Sequence, residues 1–105
     1  MKRFLITAVL ALFLLLTGQA LAHTPLCSCT DNGDGTVTCE GGFSDGSSAA
    51  GVNMTVEDKS GKTLIKGKMD EYSEYTFKKP KGDYIVIFDA GPGHVVKVKS
   101  EEITE

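Results

Sequence analysis

Between Val52 and Glu57 the chain alternates, with Val52, Met54 and Val56 apolar and Asn53, Thr55 and Glu57 polar. A period of two marks a half-buried strand, because successive side chains of extended backbone point to opposite faces. "DKSGK" (58–62) supplies a turn and "TLIKGKM" (63–69) a returning strand, so the segment predicts a hairpin. "EYTF" (74–77) predicts the next strand, closed by "KKPKGD", whose Pro80 and Gly82 break a ladder. "YIVIFDA" (84–90) is apolar on both faces and predicts a central, fully covered strand. After "GPGH" (91–94), "HVVKVKS" resumes the alternation, with Val96 and Val98 inward if Lys97 and Lys99 face water.

Upstream, "DNGDG" (31–35) is a hairpin-turn sequence separating Cys27 and Cys29 from Cys39. "EGGFSDGSSAAG" (40–51) is small and glycine-rich and predicts a loop with a short strand at Phe43. None of these segments has the length or period of a helix. Six or seven short strands divided by turn residues predict an all-β, antiparallel sandwich.

The first 22 residues differ in kind. Lys2 and Arg3 precede an apolar run from Phe4 to Leu16, and the small-x-small tripeptide Ala20-Leu21-Ala22 follows. That order predicts a secretory signal peptide cut after Ala22. The run is shorter than the roughly 17 to 25 residues needed to span a bilayer, so cleavage is expected rather than anchoring. Cys27 follows Pro25-Leu26 rather than a small residue, which argues against a lipid anchor. The organisation read is a signal peptide at 1–22, a cysteine hairpin and Gly/Ser-rich loop at 23–50, and a sandwich body at 51–105, the last two forming one domain. The expected location is periplasmic or otherwise extracytoplasmic.

The whole chain carries a formal charge of −3. Without Lys2 and Arg3, nine basic residues face fourteen acidic ones, a balance of about −5. This argues against nucleic acid and anionic membranes as partners and suits a protein that meets cations. The three cysteines are an odd number, in a domain small enough to need a staple. Either Cys27 or Cys29 can pair with Cys39 across 30–38, and spacing leaves the choice open.

No nucleophile with a base, open metal site with a general base or cofactor loop has a specific signature, so the chain reads as a binding protein and not an enzyme. "TDNGDG" fails as a calcium loop, because aligning Asp34-Gly35 with the fifth and sixth positions puts Gly41 where a carboxylate is required. Asp70, Glu71, Glu74 and Asp89 read as solvated turn charges.

Residues 51–94 resemble the carboxypeptidase-regulatory or transthyretin-like sandwich pattern. Gly61-Lys62, the "G-x-x-D-E-x-x-x-Y-x-F" run from Gly67 to Phe77, Pro80 and Tyr84 carry the likeness. It implies an immunoglobulin-like or transthyretin-like sandwich. "DAGPGH" (89–94), with a histidine exposed by cleavage, is similar to small exported accessory components of nickel and cobalt transporters of the energy-coupling-factor type. That likeness implies a divalent metal held outside the cytoplasmic membrane by His23 and His94, with a membrane-embedded transporter as partner.

The residues suggest how. As an amino terminus, His23 offers an α-amine and an imidazole Nδ1 that can close one chelate ring. His94, after Gly91-Pro92-Gly93, sits in a tight turn at the rim. If the terminal segment folds over that rim, the amine and two imidazoles make a three-nitrogen set that nickel(II) or copper(II) accepts. Pro25 would be the third residue of the cut chain, which excludes the amino-terminal motif that needs a deprotonated amide and a histidine there.

Cys27 and Cys29, two apart, share one face of a strand. With Cys39 they are candidates for a disulfide or for thiolate ligation, and the leftover thiol is a candidate soft ligand beside His23 and His94. The function expected is an exported divalent-metal-binding protein that captures or hands over nickel or cobalt. A periplasmic copper chaperone and a metal-free structural or adhesive module are the competing readings.

Overall fold

The computed structural model describes residues 23–105, and the expected signal peptide lies outside the described residues. Seven strands follow in order: β1 (Pro25–Asp31), β2 (Thr36–Phe43), β3 (Asn53–Asp58), β4 (Thr63–Lys68), β5 (Glu74–Lys78), β6 (Tyr84–Asp89) and β7 (Val95–Lys99). They build two antiparallel sheets, β1-β2-β5 and β4-β3-β6-β7. The expected all-β sandwich is therefore present.

Alternation builds the core. Val37, Cys39 and Phe77 face inward from the first sheet, and Met54, Val56, Tyr84, Val86, Phe88 and Val98 from the second. Ala49 and Met69, from connecting segments, complete the buried cluster. Phe88 is the largest fully buried side chain, and its ring lies 6.0 Å from that of Phe43. It occupies the space a side chain at Gly41 would need, since a Cβ there would stand 2.5 Å from the ring. Gly67 likewise leaves room for the Tyr75 ring to lie against β4.

Two local expectations change. Residues 40–43 continue β2 rather than opening a loop, because each finds a partner on β1. β6 is central, but only Tyr84, Val86 and Phe88 are buried, while Ile85 and Ile87 are half-exposed. The outer pair is flanked in register by Glu57 and Lys99 and by Thr55 and Lys97, residues whose aliphatic portions can shelter it while their polar ends stay wet. A short 3-10 turn, Ser100–Glu102, follows β7.

The turns explain much of the acidic composition. Asp31, Asp34, Asp45, Asp58, Asp70 and Asp89 each accept a hydrogen bond from the backbone N–H two residues on. Such Asx turns satisfy amides that leave the ladders. Hydroxyl donation from Thr36, Ser47 and Ser60, followed by backbone N–H groups, holds the carboxyls of Asp34, Asp45 and Asp58 below the usual range.

Candidate functional site

β1 begins, β2 and β6 end and β7 begins at the same pole of the sandwich. Pro25 pairs with Phe43, and the two chains run on together beyond it: Ser44 N–H donates to the Thr24 carbonyl at 2.9 Å and Thr24 N–H to Ser44 Oγ at 3.0 Å. This continuation brings His23 Nδ1 to 2.7 Å from Asp45 Oδ2. Asp45 is in turn ordered by the Ser47 hydroxyl at 2.6 Å and the Ser47 amide at 3.0 Å.

At the same pole the turn after Asp89 is closed by Ala90 N–H donating to the His94 carbonyl and His94 N–H to the Gly91 carbonyl. Gly91 and Gly93 have φ of 109° and 79°, a region that favours glycine, so "GPGH" makes a turn few sequences allow. Its result is His94 Nδ1 at 3.1 Å from the Pro92 carbonyl oxygen. A carbonyl only accepts, so this Nδ1 carries the hydrogen. A shallow cleft lined in part by Phe43, Ala50, Val52, Asn53, Asp89 and Pro92 connects the end of β2 to this turn.

Both imidazoles are thus held through Nδ1 and present Nε2. For His23 the Asp45 carboxylate occupies Nδ1, the nitrogen that the expected chelate with a terminal α-amine would use, and leaves Nε2 facing outward. Sequence reasoning missed Asp45. Its turn signal, "SDGS", was legible, but only the strand register places that turn opposite His23.

The cysteines do not join the histidines. Among the described residues, the one group of three or more potential ligands with their ligand atoms together is Cys27, Cys29 and Cys39, whose sulfurs all lie within 4.8 Å of one another. The ladder chooses the disulfide. Cys29 stands directly opposite Cys39, with Cα atoms 4.0 Å apart, and the two are bonded. Cys27 faces Gly41 instead, and the Cα atom of its diagonal neighbour Cys39 is expected roughly 7 to 8 Å away, past comfortable disulfide reach although the sulfurs lie closer.

A structural disulfide suits an oxidising, extracytoplasmic compartment. Among the described residues no helix is long and apolar enough to cross a membrane.

Cys27 remains a free, half-buried thiol, and desolvation pushes its pKa up to about 11. At neutral pH it stays protonated and is a poor nucleophile. Iodoacetamide at pH 8 should therefore label Cys27 slowly in the folded protein and rapidly after urea unfolding. Equal rates, followed by mass spectrometry, would contradict its inward placement.

The fold and site define a small, disulfide-stapled antiparallel sandwich with two oriented imidazoles at one pole. Comparison of the chain with protein-family models, with curated proteins and with solved structures gives no match.

Proposed function

We propose that the chain is an exported divalent-metal-binding protein that captures nickel or cobalt at its histidine pole and hands it over for uptake. The observation that carries this reading is the pair of Nδ1 contacts, His23 to the Asp45 carboxylate and His94 to the Pro92 carbonyl. Metal-binding histidines characteristically donate the second ring N–H to such an oxygen, which selects the tautomer with a free Nε2 lone pair and aims the ring. Imidazole nitrogen suits nickel and other late first-row ions. Two protein ligands leave coordination positions for water or for an acceptor protein. The likeness at 89–94 directs the choice toward nickel and cobalt.

Calorimetry with nickel(II) and cobalt(II) on protein beginning at His23 tests the reading. One ion per chain is expected. His94→Ala, which removes a ligand, and Asp45→Ala, which frees the His23 ring, should each weaken binding by about tenfold or more. Unchanged affinity in both variants would remove the histidine pole from consideration, and no binding by the parent protein would favour the structural-module reading. Copper(II) should bind more tightly than nickel(II) in the same assay, so metal supply rather than affinity would select the cargo.

A further inference from the structure

We propose that Cys27, Cys29 and Cys39 form a second, redox-gated site, which opens when a dithiol reduces the disulfide and then takes one copper(I) ion between three thiolates. The site shares no residue with the histidine pole and does not rest on the nickel reading.

Geometry carries the inference. Three sulfurs around a trigonal ion, at metal–sulfur bonds of about 2.3 Å, stand about 4 Å apart. Here all three already lie within 4.8 Å of one another, so opening the site requires chiefly that the two bonded sulfurs separate. The strands hold the triangle: Cys27 and Cys29 are two apart on β1, on the same face, and Cys39 is the direct partner of Cys29 on β2. Gly41, opposite Cys27, contributes no side chain to crowd it. A depression lined by Leu26, Cys27, Ser28, Glu40, Gly41 and Gly42 reaches the free cysteine from solvent.

The donor set selects the ion. No histidine or carboxylate joins the group among the described residues. Zinc in a structural site takes four ligands, and an all-sulfur set of three favours soft copper(I).

Attack by Cys27 on the neighbouring disulfide would only exchange partners and leave one disulfide in place, so an external dithiol is needed to open the site. That dithiol supplies two electrons and two protons, becoming a disulfide while Cys29 and Cys39 become thiols. Copper(I) then displaces three protons to solvent as three Cu–S bonds form.

The test reduces the chain from His23 with dithiothreitol, removes the reductant without oxygen, and titrates copper(I) against a chromogenic copper(I) chelator. One equivalent should be retained, with thiolate-to-copper absorption in the ultraviolet. The oxidised protein, and reduced Cys27→Ser, should each bind about tenfold more weakly or worse. Cys27→Ser keeps the disulfide while oxidised, so its folding can be checked before reduction.

Equal binding by reduced Cys27→Ser, equal binding by the oxidised protein, or none by the reduced parent would overturn the proposal. Should reduction loosen the sandwich, one equivalent of copper(I) should restore the strand circular dichroism, and failure to restore it would also overturn it. Nickel binding by Cys27→Ser is expected to be unchanged, so the two sites stand or fall separately.

Discussion

Replacing Cys29 and Cys39 together by alanine is expected to lower stability by about 3 kcal/mol at 25 °C. The bond joins residues 10 apart in sequence, and closing a loop of that length removes roughly this much entropy from the unfolded chain. Cys39 is fully buried, so its lost sulfur also thins the packing between sheets. A domain of this size has only about 4 to 12 kcal/mol in hand, and the loss should shift the thermal midpoint by roughly 10 to 20 °C. Urea unfolding of the oxidised parent and the double variant measures it directly. A difference under about 1 kcal/mol would show that the unfolded chain is already confined in this region. Reduction should impose most of the same loss, and copper(I) should oppose it by mass action if the three-sulfur site forms.

Phe88→Ala should cost about 3 to 5 kcal/mol, the range for deleting a fully buried aromatic ring. Phe88 is completely enclosed, contacts the Phe43 ring and fills the volume above Gly41. The packing makes a sharper statement in a double-mutant cycle. Gly41→Ala should destabilise the parent protein, because its new methyl would meet the ring, yet cost much less in the Phe88→Ala background, where only the flexible end of Met69 stays close. Additive effects by urea unfolding would mean that the ring does not occupy that space. Phe88 also immediately precedes Asp89 and the turn that carries His94, so the Phe88→Ala protein should hold that imidazole less firmly and bind nickel(II) more weakly even under conditions where it stays folded.

How much was legible before the structure varies with the kind of feature. The hairpin at 52–69 was readable from the alternation of Val52, Met54 and Val56 with the turn at 58–62 and the returning segment, because a two-residue period reports local extended geometry and one buried face. The inward assignment of Val98 followed from Lys97 and Lys99 on the same logic, and Val98 is indeed buried. The two-sided burial expected for "YIVIFDA" fails for a physical reason: Ile85 and Ile87 are apolar, but the sheet face they share lies half-open beside Thr55, Glu57, Lys97 and Lys99. Hydrophobicity of a residue does not say whether a second layer covers it.

The site divides in the same way. His23 and His94 stood out by type and neighbourhood, while Asp45, which orients His23, gave no sign beyond an ordinary Asx-turn sequence. Cys27 and Cys29 were equivalent candidates for Cys39 until a register was available.

Local patterning announced most of the strands, the turn residues and the residue types available for chemistry, all of which depend on interactions over a few positions, while the strand at 40–43 needed its partner on β1. The partner of Cys39, the Asp45 contact at His23, the shared pole of the two histidines and the three-sulfur group were decided only by the tertiary structure. Each depends on which residues face one another across a ladder, and a one-residue slip in pairing would reverse every inward and outward side chain.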